Sequence, residues 1–292
     1  MKKPYVALFI AVVSVSFAAI FIVSCQAPPL SIAFYRLFFT TLLLLPFALF
    51  HKKIRYEILN LSSSTALIMF GIGIILALHF ALWITSLTKT SVASSVILVT
   101  AHPVMVAPLS HFLFKEKISY LSIVGITLSI TGVVILVGGN YGLQPGTLYG
   151  NVLAILGGIA AGIYILGGRR MRQKVSTISY AFIVYGVAAI VLFLLCLLFN
   201  SPLLISHRDY EIILLMALVS GIFGHTFYNW ALKYVPAHVA SVALLAEPVG
   251  SSLLAFLLPW IQQVPSIYTI TGGGIVLAGI YLTARTASFQ NF

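Results

Sequence analysis

The chain has 292 residues, of which 61% are hydrophobic and only 7% are charged, and its mean hydropathy is +1.11. A water-soluble domain carries roughly a quarter charged residues, so most of this chain must be solvated by lipid or by itself. The net charge of +11 comes from basic residues in short clusters between apolar runs, which is typical of membrane orientation and not of a nucleic-acid-binding face. The two cysteines, Cys25 and Cys196, predict neither a disulfide framework nor a metal site.

Ten stretches of the chain are long and apolar enough to span a membrane, which takes about 20 residues. The first five predicted spans are 4–24, 30–50, 63–87, 91–113 and 118–138. The other five are 147–168, 176–199, 210–233, 238–260 and 265–285. The first stretch, which ends at Cys25, also resembles a lipoprotein signal, but it is long for a signal and its removal would leave nine helices. We therefore predict an all-α integral membrane protein with ten transmembrane helices.

Two stretches of the chain are nearly alike. HFALWITSLTKTSVASSVILVTAHP runs over His79–Pro103, and HTFYNWALKYVPAHVASVALLAEP runs over His225–Pro248. Glycines at matching positions follow the two copies, namely Gly125 and Gly132 after the first and Gly272 and Gly279 after the second. The chain is therefore predicted to contain two five-helix repeats, residues 1–139 and 146–287. Duplicated helical halves in a bilayer are typical of secondary transporters.

The lysines and arginines predict the orientation of the spans. With a cytoplasmic N-terminus, the inner segments hold Lys2, Lys3, Lys52, Lys53, Arg55, Lys115, Lys117, Arg169, Arg170, Arg172, Lys174, Lys233 and Arg285. The outer segments hold only Lys89 and Arg208, and Arg36 lies within the second span. This distribution places both termini in the cytoplasm. Because five is an odd number, the second repeat must be inverted, and the halves are related by a pseudo-two-fold axis in the membrane plane.

The residues at the ends of these repeats resemble a known family. The step Ala246-Glu247-Pro248, its counterpart His102-Pro103, Lys115-Glu116-Lys117 and the glycine pattern are similar to the drug/metabolite transporter superfamily, with two EamA-type repeats. The resemblance spans nearly the whole chain. It departs from the usual repeat at Gln262-Gln263, which replaces a second acidic turn, and at His102, which replaces an acidic residue.

The resemblance implies a transporter but no particular cargo, because proteins of this fold move amino acids, nucleotide sugars, drugs or other metabolites. The sequence contains no P-loop, zincin motif or nucleophile elbow. We therefore expect no enzyme activity, no cofactor and no direct use of ATP.

Glu247 is the acidic residue that the sequence places near the bilayer midplane. An ionised carboxylate there costs several kcal/mol, and intramembrane carboxylates usually have a function. We expect Glu247 to bind a proton or a substrate amine. The alternative is a structural role, in which Glu247 stabilises the helix where Pro248 interrupts it. His102 occupies the pseudo-symmetric position and is predicted to take part in ion coupling if the two side chains meet. The alternative for His102 is a simple hydrogen bond to a neighbouring helix.

The other predicted substrate-binding residues are polar or aromatic side chains of the third and eighth spans. They are His79, Trp83, His225, Tyr228, Asn229 and Trp230. Aromatic rings stack on flat ligands or hold cations, but tryptophans near helix ends also anchor proteins at the membrane interface. Arg36 is expected to snorkel to the outer surface. If it faced inward, it would offer a bidentate grip on a carboxylate or phosphate.

Together these features predict a secondary transporter of small organic metabolites, such as amino acids, related compounds or drugs, in the cytoplasmic membrane. It would work by alternating access around a cavity between the third, fourth, eighth and ninth spans, with proton coupling through Glu247. Its partners would be a small-molecule substrate, the bilayer and protons, but no metal or nucleic acid, and it would be a monomer or homodimer. The alternatives are an uncoupled facilitator, a membrane-embedded enzyme acting on lipid-borne substrates, and a transmembrane scaffold.

Overall fold

The computed structural model describes residues 3–90, 92–141, 148–258 and 264–285, and the regular secondary structure in these ranges is helical throughout. The first half contains α1 (Lys3–Ser24), α2 (Pro29–Phe50), α3 (Lys52–Leu59), α4 (Ser63–Ser86), α5 (Val92–Thr100), α6 (Pro103–Phe114) and α7 (Tyr120–Tyr141). The second half contains α8 (Leu148–Met171), α9 (Thr177–Leu198), α10 (His207–Met216), α11 (Phe227–Ala231), α12 (Ala237–Ala243), α13 (Glu247–Leu257) and α14 (Ile267–Arg285).

These helices form ten candidate membrane spans, as the hydropathy of the sequence predicts. The fourth span consists of α5 and α6. The eighth consists of α10, a π-helical stretch over Ala217–Thr226, and α11. The ninth consists of α12, a 3₁₀ turn over Leu244–Ala246, and α13. The prediction of an all-α protein with ten spans is confirmed, whereas Gln262-Gln263 lies outside the described residues.

The fourth and ninth spans are each interrupted next to a proline. Pro103 is the first residue of α6, and Pro248 lies in the first turn of α13. Proline has no N–H to donate and its ring clashes with the preceding turn, so it is favoured at a helix start, although Pro46 and Pro108 lie inside α2 and α6. The two breaks occur at corresponding points of the two repeats. They place His102 and Glu247 at helix starts within the spans.

Contacts between the two halves come in pairs that a two-fold axis would exchange. α4 packs against α8 in the same way that α11 and the π-helical stretch pack against α1. The fourth span, α5 and α6, likewise packs against α8 as the ninth span, α12 and α13, packs against α1. α2 packs against α9, and α7 against α14, so each of these helices contacts its own counterpart. Since each repeat has five spans, the two repeats cross the membrane in opposite directions.

The glycines that follow the two copies lie where α7 crosses α14. A Cβ added to Gly132 would lie 2.7 Å from the carbonyl oxygen of Gly272 and 2.6 Å from the amide nitrogen of Val276. A Cβ added to Gly279 would lie 2.4 Å from the carbonyl oxygen of Gly125. Small residues let membrane helices approach each other at backbone distance. The two glycine contacts are exchanged by the pseudo-two-fold axis, which passes through this crossing.

Replacing Gly132 with alanine should therefore destabilise the protein by about 1–3 kcal/mol, as an overpacked core does, because the atoms that the new methyl group meets are backbone atoms. The measurement is the free energy of unfolding of the purified protein in detergent. Gly274→Ala is the matched control, since no heavy atom lies within 4 Å of a Cβ at that position of α14. Equal unfolding free energies for the two variants would contradict the close approach of α7 and α14.

Candidate functional site

A small cavity lies between the two halves, near the middle of the spans. Its volume is about 90 Å³. Pockets that bind small organic molecules enclose roughly 300–1,000 Å³, so this cavity is too small for such a ligand in this conformation. Six of its lining residues are among those that the sequence predicts, namely His79, Trp83, His102, His225, Tyr228 and Glu247. The cavity must widen before it can admit an organic molecule.

His79 and Trp83 form one wall of the cavity. The two rings are stacked, with centroids 6.0 Å apart and planes 10° from parallel. Nδ1 of His79 lies 2.9 Å from the carbonyl oxygen of Gly157 on α8. Because a carbonyl only accepts hydrogen bonds, Nδ1 carries a proton, which leaves Nε2 as the atom of the neutral ring that can accept one.

Glu247 lines the cavity without a side-chain partner. Within the described part of the chain, its carboxylate accepts no hydrogen bond and forms no ion pair. His102 also lines the cavity, but its Nδ1 lies 2.8 Å from Oγ of Ser241 on α12. The contact that we considered between these pseudo-symmetric side chains is therefore not formed in this conformation. Both side chains nevertheless face the same small space.

Asn229 does not line the cavity, although the sequence predicts that it binds substrate. It is fully buried, and its Nδ2 donates to the hydroxyl oxygens of Tyr164, at 2.7 Å, and Tyr185, at 2.9 Å. Tyr164 is a cavity residue that the sequence reasoning missed. A hydroxyl group in the middle of an apolar span, where the first repeat has Phe21, is the signal that could have revealed it.

Trp230 lies apart from the cavity as well. It lines a separate groove of about 770 Å³, between α1, α2, the start of α9 and α11. The side chains around it include Phe227, Ile222 and Phe47. This position agrees with the alternative function of Trp230 as an interface anchor.

Two of the cavity residues carry polar atoms that are buried and unpaired. Nε1 of Trp83 and the hydroxyl oxygen of Tyr228 have no hydrogen-bond partner among the described residues. Buried polar groups nearly always have a partner in native proteins. Both atoms are therefore available to a water molecule or a polar ligand in the cavity.

The expectation that Arg36 snorkels to the outer surface is wrong. Its side chain is 3% exposed, and its guanidinium carbon lies 4.9 Å from the ring centroid of Phe80 on α4. An arginine placed over an aromatic ring gains a cation–π interaction, which is stronger where water is excluded. The packing of α2 against α4 therefore keeps this side chain inside the protein.

The model of the EamA-like transporter family matches residues 2–138 and 148–285, which is nearly all of the chain. The chain belongs to this family. Because the match occurs twice, each half corresponds to one EamA repeat, and the family is one of transporters and not of enzymes. The alternatives of a membrane-embedded enzyme and a scaffold are thereby excluded.

Similar proteins agree with this assignment. An uncharacterized transporter of Archaeoglobus fulgidus is 29% identical over 262 residues, which cover 88% of this chain and 89% of that protein. The uncharacterized transporter YdfC of Bacillus subtilis is 23% identical and covers 90% of this chain and 84% of its own. One protein of known crystal structure superposes with a TM-score of 0.82 at 21% identity, over 98% of both chains, which shows that the fold is shared.

One end of this EamA-like transporter is held together by a buried ion-pair network. Glu116, in the turn after α6, binds Nε of Arg169 on α8 through Oε1 at 2.9 Å. Its Oε2 accepts from the backbone amide of Ala237 at 2.9 Å and lies 3.3 Å from Nδ1 of His238. Arg169 also donates to two carbonyl oxygens in the turn between α11 and α12, each at 2.8 Å. Glu116, a residue of the first repeat, thus connects three segments of the second repeat, directly or through Arg169. They are α8, the turn after α11 and the start of α12.

A second contact at the same end joins α3 to α9. The backbone amide of Ser176 donates to Oε1 of Glu57 at 2.9 Å, and the hydroxyl of Ser179 donates to Oε2 at 2.5 Å. Partial burial raises the pKa of the Glu57 carboxyl, but these hydrogen bonds and the nearby charge of Arg172 outweigh burial and lower the pKa below its ordinary value.

The transporter should therefore lose stability in acid partly through Glu57. A carboxyl whose pKa is lowered by folding stabilises the protein above its unfolded pKa, and this contribution is lost as the pH falls from about 4.5 through the folded value. The check is the unfolding temperature in detergent between neutral and acid pH, for the parent and for Glu57→Gln. The variant should be less stable at neutral pH, and the difference should shrink in acid. A difference that does not depend on pH would contradict the assignment.

Proposed function

We propose that this EamA-like transporter exchanges protons for small organic metabolites across the cytoplasmic membrane by alternating access. The substrate class comprises amino acids, related compounds or drugs, and Glu247 is the proton carrier. The observation that carries this proposal is the place of Glu247. It is a carboxylate in the cavity between the two halves, at the start of a helix in a broken span.

The place of the cavity supports alternating access. It lies between two inverted five-helix repeats, to which we assign residues 1–139 and 146–287. Its volume of about 90 Å³ is that of a nearly closed state. Rocking one inverted repeat against the other opens a central site first to one side of the membrane and then to the other. The Glu116 network closes one end in this conformation and must break when that end opens.

The charge distribution supports a cytoplasmic location for the Glu116 end. The loops that meet there hold several exposed basic residues, namely Lys115, Lys117, Arg170 and Lys174. Short cytoplasmic loops of membrane proteins are enriched in lysine and arginine. Both termini are then cytoplasmic, and the described conformation is closed towards the cytoplasm.

The surroundings of Glu247 support proton binding. A carboxylate without hydrogen-bond donors or a salt bridge is costly to keep ionised in a closed cavity at membrane depth. The transporter therefore passes through its closed state more readily when a proton neutralises Glu247 or a substrate cation pairs with it. Because only one of the two can occupy the carboxylate, binding of one releases the other. His102, on another part of the wall, is proposed as an accessory proton-binding group.

Transport by the parent protein in vesicles tests this proposal. The protein is reconstituted into liposomes that contain a pH-sensitive dye, and compounds that raise its unfolding temperature in detergent are added outside. A proton-coupled exchanger should change the internal pH when such a compound is added, and an imposed pH gradient should drive accumulation of the compound. Equilibration of the compound without any change of internal pH would instead show an uncoupled facilitator.

A further inference from the structure

The groove that Trp230 lines, here called the Trp230 groove, lies between the two repeats. Its walls are α1, α2 and α3 of the first half, and the start of α9, the π-helical stretch and α11 of the second half. Its volume of about 770 Å³ falls within the range of roughly 300–1,000 Å³ for pockets that bind organic molecules. A molecule in this groove would therefore contact both repeats at once.

The Trp230 groove runs from one end of the spans into their apolar part. On α1 it is lined by Lys3, Val6, Ala7 and Ile10, which lie at i, i+3, i+4 and i+7 on one helix face. From Lys3 to Ile10 the helix rises about 10 Å, at 1.5 Å per residue. This length is roughly a third of the hydrocarbon core of a bilayer. The lining residues Val6 and Phe47 are 54% and 52% exposed, so the groove is open on its lipid side.

The hydroxyl groups in the lining of the Trp230 groove already have hydrogen-bond partners. The hydroxyl of Thr226 donates to a carbonyl oxygen of its own helix at 3.1 Å. The hydroxyl of Ser176 donates to the carboxylate of Glu57, and that of Thr177 accepts from the guanidinium of Arg172. A hydrocarbon chain suits this lining, whereas a polar metabolite would lose hydrogen bonds to water without replacing them.

Basic side chains surround the outer end of the Trp230 groove. Lys3 lines this end and is exposed. Ile54 of α3 is buried against the groove, and Lys53 and Arg55 on either side of it are exposed. None of these basic side chains forms an ion pair with a carboxylate in the described part of the chain, and Glu57 on the same helix is engaged by the start of α9. Clusters of this kind beside a membrane span attract the head groups of anionic lipids.

Aromatic side chains mark the same end of the groove as the membrane interface. The ring centroids of Trp230 and Tyr234 lie 4.9 Å apart, and the side chain of Tyr234 is 39% exposed. Nζ of Lys233 lies 5.9 Å from the ring centroid of Tyr234. Tryptophan and tyrosine gather at the level of the lipid head groups. The basic end of the groove therefore lies at that level, and its apolar part lies among the acyl chains.

We propose that the Trp230 groove binds a phospholipid with an anionic head group. One acyl chain lies along α1 between the two repeats, and the phosphate lies against Lys3 and the basic side chains of α3. Because the lipid contacts both repeats, it stabilises the described conformation. The inference does not depend on the proposed function, since the groove and the cavity are separate. Thr226 lines the groove, whereas its neighbour His225 lines the cavity.

Three probes test the inference on the full-length protein after removal of lipid in a neutral detergent. They are phosphatidylglycerol, phosphatidylcholine with the same acyl chains, and glycerol phosphate, which is the head group alone. Native mass spectrometry measures the bound lipid, and the unfolding temperature measures its effect on stability. Phosphatidylglycerol should bind at least about fivefold more tightly than phosphatidylcholine, the factor expected for one basic side chain near an anionic head group. It should also raise the unfolding temperature, because a ligand of the folded state stabilises that state. Glycerol phosphate should do neither.

A variant that fills the groove locates the lipid. Val6→Trp places an indole ring where the acyl chain lies, and this overpacking should weaken binding of phosphatidylglycerol about tenfold or more. Val104→Trp is the matched control, because Val104 is a 62% exposed valine of α6 that does not line the groove. Ile10→Trp, on the same face of α1, serves if Val6→Trp does not fold.

A second variant tests the head-group contact. Lys3→Gln should weaken binding of phosphatidylglycerol about fivefold and leave binding of phosphatidylcholine unchanged, because the attraction to the net negative charge is lost. Lys117→Gln, at an exposed lysine of the same end that does not line the groove, should change neither affinity.

Equal affinities of the parent for phosphatidylglycerol and phosphatidylcholine would overturn the inference. So would equal binding of phosphatidylglycerol by Val6→Trp and Val104→Trp, since the lipid would then lie elsewhere. A rise of the unfolding temperature with glycerol phosphate as large as with phosphatidylglycerol would also contradict it, because the acyl chain would then contribute nothing.

Discussion

Replacement of Glu247 with glutamine should abolish substrate-driven proton movement in vesicles while leaving the protein folded. Glutamine has nearly the same shape as glutamate but cannot bind and release a proton near neutral pH. The side chain of Glu247 makes no hydrogen bond within the described residues, so no structural contact is lost. We therefore expect a change in unfolding free energy within about 0.5 kcal/mol, together with a complete loss of coupling.

The measurement is the internal pH of dye-loaded vesicles after addition of a transported compound, for the parent and for Glu247→Gln. Glu211→Gln is the matched control, because Glu211 is an exposed acid of the same half of the chain. The control should behave like the parent. Full pH-dependent transport by Glu247→Gln would eliminate Glu247 as the proton carrier and leave His102 as the candidate for that role.

Replacement of Glu116 with alanine should destabilise the transporter by about 3–5 kcal/mol, the range found when one partner of a buried ion pair is removed. Arg169, 3% exposed, would lose its carboxylate partner, and the backbone amide of Ala237 would lose its acceptor at the start of α12. The free energy of unfolding in detergent measures this effect. Because the network joins the two repeats, its loss should also favour the conformation that is open at this end.

Two comparisons show whether the loss comes from the network. Glu211→Ala, which removes an exposed acid, should change the unfolding free energy by less than about 0.5 kcal/mol. In a double-mutant cycle, Glu116→Ala combined with Arg169→Ala should cost clearly less than the sum of the two single changes, since the second change removes the charge that the first left unpaired. A loss for Glu116→Ala no larger than for Glu211→Ala would mean that the network does not hold this end closed.

The ten spans and their duplication follow from the sequence because the bilayer leaves the backbone little choice. Without water as a partner, each backbone N–H and C=O of a span must be satisfied within the segment, which selects the helix. The breaks before Pro103 and at Glu247-Pro248 were predictable for the same reason, since a proline cannot complete this pattern. Glu247 and His102 were predicted as site residues because ionisable groups at membrane depth are rare, and both line the cavity.

The positions of Asn229 and Trp230 were not predictable, because they depend on which neighbours each face of α11 meets. Residues four apart, such as His225 and Asn229, lie on roughly the same face of a helix with 3.6 residues per turn. The π-helical stretch Ala217–Thr226 ends one residue after His225, and Asn229 and Trp230 follow it in the regular helix α11. His225 lines the cavity, whereas Asn229 donates to Tyr164 and Tyr185, and Trp230 lies in another groove.

The sequence by itself determined the membrane class, the number of spans and the two repeats, because hydropathy and proline placement are properties of each segment alone. Only the tertiary structure decided that Arg36 lies over Phe80 and that Glu116 forms an ion pair with Arg169. These contacts join helices that are distant in the chain, and they depend on how far each helix is rotated about its axis and where it crosses its neighbours. Apolar surfaces facing lipid and facing protein have nearly the same composition, so the sequence carries little information about that rotation.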